Sequence, residues 1–532
     1  MKRSISVGNS KNLFVIIIVA FVLIGANTSG LYIYALDEAK NSTCAREMMD
    51  QGEWIVPTFN YELRTDKPPL HYYFMIGAYS IFGVNEFSAR FFSVIMGILT
   101  ILSIWFLAAK FYGHRTALYT SLVLLSSLHF AIQFHMAVPD PYLIFFMTFG
   151  FVTFYIFYKE DKSLYLFLSY LSFGLGVLTK GPVAIALPGL AILLFLIFTR
   201  TFNWQYFLKL RPLWILAILV LIIAPWFIMV GIKTNGEWLN DFFFRHNLGR
   251  YTNTMEGHGA IFLVTPMIVI LGLLPFSVFF IQAYRYGWKK RRTDDLLLYA
   301  GMITLTIITF FAFSSTKLPN YTVPAYPFVA LLIGRYLAVL QDNFNKFRKS
   351  LSVSLWVYLF IAFTIPVGLF IGLKFDPAIS EFRYLSWYFL VIPAGALSAI
   401  ILFYKSNYKG ILLSLSLSWI ISTLMFFYII FPKIDQVNPI AKLLPSLDMG
   451  KSFAAYHLYN PAFSFYLKKP VPTFKSTEEL NTYILQTGEG YILSRKSLEN
   501  EFMHLENIYK IGEAKDIFEI PTTVVYGIKR EK

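Results

Sequence analysis

Contiguous apolar runs recur along most of this sequence, among them 13–36, 91–109, 213–230 and 261–281, each close to the roughly 20 residues a helix needs to cross a hydrocarbon core. Apolar residues follow one another without the two-residue alternation of barrel strands, so the crossing segments are expected to be helices that satisfy their own backbone groups. Only 14% of the 532 residues are charged and 56% are hydrophobic, against about 25% charged in soluble domains. The chain therefore reads as an α-helical integral membrane protein.

Its net charge of +15 does not mark a nucleic-acid partner, because the basic residues are not pooled. They recur in alternate loops, as the positive-inside rule requires: Lys2, Arg3 and Lys11, then 110–115, 159–162, 200–211, 285–292, 346–349 and 405–409. This alternation fits about thirteen spans: 13–36, 86–109, 115–134, 141–158, 163–179, 181–198, 213–232, 260–283, 296–315, 321–341, 352–373, 384–404 and 411–431. With the N-terminus cytoplasmic, the loops at 37–69, Asp140, 235–258, 317–320 and 376–383 face outward, as does everything after Pro432. The N-terminal run is long for a secretory signal and has no clean small-x-small site, so an uncleaved anchor is expected. A single cysteine, Cys44, excludes a disulfide framework and a cysteine zinc site within one chain and is expected to be an inert thiol.

Two domains are expected. Residues 1–432 form the membrane domain. Residues 433–532 mix turn and charged residues with short β-type runs at 491–494 and 522–528, and Ser476-Thr477-Glu478-Glu479 reads as a capping box that opens a helix, which makes a small α/β domain. Within the membrane domain, 38–49 is a polar helix candidate and 61–69 an extended connector stiffened by Pro68-Pro69. Residues 70–82 are too short and aromatic for a span and read as an interfacial helix with Tyr72, Tyr73 and Tyr79 as belt residues.

The chemistry concentrates on the outward insertion 37–69. Asp37 and Glu38 are expected to end the first span, and Asp140 adds a third carboxylate on the same side. Ionisable residues at a membrane edge are costly and suggest function, and a partly desolvated carboxylate suits a general base. Lys67, fixed beside Asp66 by two prolines, could bind a lipid phosphate and stabilise its departure. Arg245, His246 and Arg250 in a second outward loop could add arginine forks for phosphate. Asp66 with His246 could hold a divalent metal, although two ligands are a weak signal. Lys317 in Ser314-Ser315-Thr316-Lys317-Leu318-Pro319-Asn320-Tyr321 is either a further phosphate contact or a snorkelling lysine in a tight hairpin. Thr179-Lys180-Gly181-Pro182 admits the same bland reading and carries less weight.

Nucleotide sugars are cytoplasmic, while these carboxylates face outward. No glycine-rich phosphate loop joins a strand to a helix. A lipid-linked donor fits both facts. A transporter is the competing class, but its ionisable groups would sit at the bilayer midplane in repeated halves, and neither feature is seen.

Five segments taken in order resemble the bacterial aminoarabinose lipid A transferase family: Leu36-Asp37-Glu38, Asp66-Lys67-Pro68-Pro69, Gly83-Val84-Asn85-Glu86-Phe87-Ser88-Ala89-Arg90, Thr179-Lys180-Gly181-Pro182 and Lys317-Leu318-Pro319-Asn320-Tyr321. That family belongs to the GT-C glycosyltransferase superfamily, with the protein O-mannosyltransferases. The resemblance covers nearly the whole chain. It implies a GT-C fold in a bacterial inner membrane, a polyprenyl (undecaprenyl) phosphate sugar donor, inverting transfer in a periplasmic cavity, and lipid A or another glycan or protein as acceptor. It also implies Asp37 as the catalytic aspartate, Asp140 as a second acidic residue, and Lys67, Arg250 and Tyr321 as donor-phosphate contacts. Where the family usually has glutamate this chain has Asp66, whose shorter side chain puts a metal or positioning role in question.

Overall fold

A computed structural model describes residues 8–249 and 261–529. Among the described residues, nine helices are long and apolar enough to cross a membrane, or up to eleven if two bent pairs each count once. Two shorter apolar helices, Asn12–Ile24 and Val183–Phe198, complete the set. Each of the thirteen expected segments contains helix in its described part, though not over its whole length. A count of thirteen crossings requires both bent pairs and both short helices to cross.

The bends have local causes. Helices His114–Leu125 and Leu128–His135 meet at 69°, where Ser127 caps the second by accepting from the Phe130 N–H and donates its own hydroxyl to the Gly272 carbonyl. Helices Val264–Gly272 and Phe276–Lys290 meet at 117° around Pro275, which has no N–H to give.

The N-terminal region departs most from expectation. Helix α1, Gly8–Ile24, stops well short of residue 36. Asn27 adopts a left-handed φ of 54°, and the carbonyls of Thr28, Leu31 and Tyr32 accept from the Arg90 guanidinium instead of a helical ladder. Asp37 and Glu38 therefore do not end a span; they lie in the first turn of a separate helix α2, Leu36–Gln51, which ends at Gly52 with φ 65°.

A short antiparallel hairpin follows, β1 (Thr58–Phe59) with β2 (Glu62–Leu63). The connector then leads to α3, Leu70–Phe82. Its expected belt is mostly internal, since Tyr72 and Tyr79 are buried and donate to Asn41 and to the Ser42 carbonyl on α2. Helix α4, Glu86–Tyr112, is opened by a reciprocal capping box between Asn85 and Ser88.

After the last span, a five-stranded mixed sheet forms from β3 (Ser452–Tyr456), β4 (Thr473–Phe474), β5 (Gly490–Arg495), β6 (Ile508–Lys515) and β7 (Thr522–Ile528), in the order β4-β3-β5-β7-β6. β3 pairs in parallel with β4 and β5, while β7 is antiparallel to β5 and β6. Ser476 caps the helix Thr477–Thr487, as the capping box anticipates.

Alternation along the strands divides the sheet's two faces. Tyr456, Ile492, Val524, Tyr526 and Ile528 form one cluster with Leu480 and Phe502. Phe453, Ala455, Tyr491, Leu493 and Val525 share the other with Ala39, Ala45, Met48, Tyr72 and Met75 of α2 and α3. The sheet thus rests directly on the insertion. Asn60 adds a two-way clasp, donating to the Val471 carbonyl and accepting from the Val471 N–H, both at 2.8 Å.

Candidate functional site

Where the insertion meets the bundle, a cavity of about 450 Å³ opens between Asp66, Lys67, Asp140, Lys180, His246, Asn320 and Tyr321 on one side and an apolar, aromatic wall on the other. Leu143, Val183, Ala186, Phe242, Phe243, Phe310 and Phe311 contribute to that wall. The pocket is therefore charged at one end and hydrocarbon-like at the other.

Helix termini supply its charged end. Asp140 begins the helix Asp140–Glu160, where a carboxylate favours the macrodipole. Lys180 ends the next helix, Ser163–Lys180, where a cation does the same, and Gly181 at φ 91° closes the turn. These two helices pack as a hairpin, which brings Lys180 Nζ to 2.6 Å from Asp140 Oδ1. Asn320 Nδ2 donates to the same oxygen at 3.0 Å. Tyr321 presents its ring to the lysine: Lys180 Nζ sits 5.4 Å from its ring centroid, and Phe311 packs on it with centroids 4.9 Å apart.

The connector supplies Asp66 and Lys67. Asp66 Oδ1 lies 3.0 Å from His246 Nε2, and Asp66 Oδ2 lies 3.4 Å from Arg64 Nε. Burial opposes the charge on Asp66, but Arg64, Lys67 and His246 outweigh it and hold the carboxyl below its ordinary range. Arg64 is buried and donates to Asn41 Oδ1 at 3.3 Å, and Asn41 Nδ2 donates to the Asp37 carbonyl at 2.7 Å. His71 also meets Asn41, and burial together with Arg64 and Lys67 keeps this imidazole neutral by pushing its pKa well below the usual value.

The π-helical segment Asp241–Leu248 and its neighbour Trp238 pack against the connector. Trp238 Nε1 donates to the Arg64 carbonyl at 2.9 Å, and Thr65 Oγ1 meets Asp241 and His246 at 3.3 and 3.2 Å.

The expected site residues thus separate into groups. Lys67, Asp140, Tyr321, Asp66 and His246 line one cavity. Asp37 lies outside that lining, exposed on the first turn of α2. Glu38 points elsewhere: its two oxygens take Arg90 Nε and Nη2 at 2.8 and 2.9 Å, and Oε1 also accepts from the Ala137 N–H at 2.9 Å. This carboxylate is engaged in a buried clamp and, unlike Asp140, does not line the cavity.

Arg245 projects with 70% of its side chain exposed, 3.9 Å from Asp241, and does not line the cavity. Lys317 donates to the Ser314 carbonyl at 2.7 Å and also lies outside the lining. Arg250 falls outside the described residues.

As for a metal, no three His, Cys, Asp or Glu side chains converge among the described residues, and Asp66 and His246 face each other directly as a pair. The sequence reading gives Lys180 little weight and assigns no role to Arg64 or Arg90, all three of which the structure places in ion pairs with carboxylates. An ionisable residue closing an apolar helix was the available signal for Lys180.

Residues 66–229 match the family model described as dolichyl-phosphate-mannose-protein mannosyltransferase. A protein of Aquifex aeolicus is 30% identical over 328 residues, which are 62% of this chain and 73% of that protein. The undecaprenyl phosphate-alpha-4-amino-4-deoxy-L-arabinose arabinosyl transferase of Aeromonas hydrophila is 30% identical over 331 residues, 61% of this chain and 59% of its own length. The crystal structure of ArnT from Cupriavidus metallidurans bound to undecaprenyl phosphate superposes with a TM-score of 0.81, covering 98% of both chains at 21% identity. Fold and comparisons define a multi-pass membrane glycosyltransferase of the GT-C class. Within that class, the chain belongs to the family of the aminoarabinose transferases, which is related to the protein mannosyltransferases.

Proposed function

We propose that this protein moves a sugar from a polyprenyl phosphate to an acceptor at the membrane surface, with lipid A or another glycolipid as the acceptor class. One observation carries this reading: a single cavity presents Lys67 and Lys180 beside an aromatic, apolar wall. A polyprenyl phosphate has the matching character, a phosphate joined to a long hydrocarbon. The relatives named as undecaprenyl phosphate-aminoarabinose transferases support the donor class. Loop charges favour an N-terminus in the cytoplasm, with the cavity and the 433–532 domain on the periplasmic side of a bacterial inner membrane.

In the proposed step the acceptor oxygen attacks the anomeric carbon, and the bond from that carbon to the phosphate oxygen breaks with inversion. The electron pair leaves with the polyprenyl phosphate, where Lys67, Tyr321 and Arg250 stabilise the growing negative charge. Lys180 is assigned to hold Asp140 in place and to add positive potential at the same end of the cavity. Asp37 takes the proton if the acceptor is a hydroxyl. For a lipid A phosphate, already ionised near neutrality, Asp37 orients the acceptor instead. The mannosyltransferase family match over 66–229 keeps a protein hydroxyl acceptor as the second reading.

The test uses purified protein in lipid with a panel of polyprenyl-phosphate sugars and with lipid A, peptide or glycan acceptors. Transfer from at least one lipid donor is expected. Failure with every donor, together with solute flux into liposomes, would sink the transferase reading, while undiminished transfer by Asp37→Asn would remove Asp37 from the chemistry.

A further inference from the structure

The hairpin formed by β6 and β7 turns through Asp516-Ile517-Phe518-Glu519-Ile520-Pro521. Turns of water-facing domains are built from small and polar residues, yet three of these six are large and apolar. Ile517 is buried in the main cluster of the transmembrane bundle, whereas Phe518 is 60% and Ile520 94% exposed. Phe518 has φ +60°, a left-handed conformation that bulky side chains rarely adopt.

The turn is firmly tied. Lys515 Nζ donates to the carbonyls of Glu519 and Ile520, both at 2.5 Å. Asp516 accepts from Arg495, Asn460 and Thr523. Its two exposed apolar side chains are therefore presented by a braced loop.

Their surroundings identify what covers them. The Phe518 N–H faces Asp376 Oδ2 at 3.4 Å, and Asp376 directly follows the apolar span Phe344–Phe375. Phe375 is 79% exposed, and Tyr384 and Trp387 at the start of the next span are exposed as well. Aromatic residues at span ends mark the boundary between hydrocarbon and headgroups. Cations sit at the same level: Lys374 is exposed, Arg383 lies over the Phe370 ring and Lys433 near the Tyr384 ring, as suits lipid phosphates. The exposed pair thus continues the apolar surface of the spans up to their edge.

We propose that the β6–β7 turn is a membrane anchor, with Phe518 and Ile520 seated in the lipid boundary of the leaflet at this end of the bundle. The anchor holds the sheet down on α2 and α3.

Cys44 is the only cysteine and is buried, so Ile520→Cys can be labelled singly with an environment-sensitive fluorophore in the full chain. The labelled protein is placed in nanodiscs of phosphatidylethanolamine and phosphatidylglycerol, first at several molecules per disc and then at one. Blue-shifted emission and quenching by headgroup-proximal doxyl lipids are expected, at least about threefold stronger than for a label at Gln486→Cys on the exposed helix of the same domain. Phe518→Cys provides a second position if the first variant does not fold. Emission and quenching equal to the Gln486 control at both positions overturn the proposal. Protection without lipid quenching, lost when copies are separated, overturns it in favour of a second copy of the chain. Neither readout depends on sugar transfer.

Discussion

Lys180 Nζ and Asp140 Oδ1 lie 2.6 Å apart across a helix hairpin, joining the C-terminal end of one helix to the N-terminal start of its neighbour. Both side chains are largely buried, so the attraction is weakly screened and each charge depends on the other. Lys180→Met leaves the Asp140 carboxylate with Asn320 as its remaining hydrogen-bond donor. A loss of about 3 kcal/mol follows for a broken buried pair, equivalent to roughly 100-fold in kcat/KM if the pair shapes the transition state. The Lys180→Met/Asp140→Asn double variant is expected to be no worse than the poorer single variant. Additive losses measured in the transfer assay would mean that the two residues act separately.

Glu38 and Arg90 are expected to affect stability more than chemistry. Glu38→Gln breaks a buried bidentate pair, for which about 3–5 kcal/mol is typical. Arg90→Met is expected to be worse, because the carbonyls of Thr28, Leu31 and Tyr32 then lose their donor as well. Thermal unfolding in lipid nanodiscs checks the order, with wild type above Glu38→Gln and Glu38→Gln above Arg90→Met. A Glu38→Gln protein that melts normally but transfers no sugar would restore Glu38 to the reaction.

How much of this was legible in the sequence depended on the range of the interactions. Helix α3 could be read from Pro69 and Gly83 at its ends, and the helix Thr477–Thr487 from its Ser476 cap. Pairings between distant residues could not. Glu38 is 52 residues from Arg90, and Asp140 is 40 from Lys180. Hydropathy carried the first span on to residue 36 because Ala26, Leu31, Ile33 and Ala35 are apolar. What unwinds that stretch is a guanidinium from another helix. Tyr72 and Tyr79 looked interfacial for a similar reason: only the packing of α3 on α2, under the C-terminal sheet, buries them.

Asp66 gives a pH prediction with a definite sign. Its carboxyl is held below the ordinary range in the folded protein, against the opposing effect of burial. Its contribution to stability is therefore fully present above the unfolded value, about 3.9 for aspartate, and is lost as pH falls through the lower folded value. Wild type should melt above Asp66→Asn at neutral pH, and the gap should close only in strong acid. Arg64→Met should narrow the gap at neutral pH, because it removes the first of the cations that favour the charged form. Melting profiles from neutrality down to about pH 3 test this. A gap that widens on acidification would contradict the arrangement.

Tyr321 separates two roles that the sequence could not distinguish. As a donor contact it would act through its hydroxyl, yet its ring also packs against Phe311 and carries the Lys180 ammonium over it. A cation held 5.4 Å from an aromatic centroid gains roughly 0.5–2 kcal/mol, depending on its exposure. Tyr321→Phe keeps that ring and removes only the hydroxyl, so a fall of about tenfold in polyprenyl phosphate affinity is expected from one lost hydrogen bond to a charged group. Tyr321→Leu removes both, so kcat should fall further as Lys180 loses its support beside Asp140. Titration with polyprenyl phosphate and steady-state kinetics separate the effects. If Phe and Leu variants match in both affinity and kcat, the ring does not position Lys180 and the hydroxyl alone accounts for Tyr321.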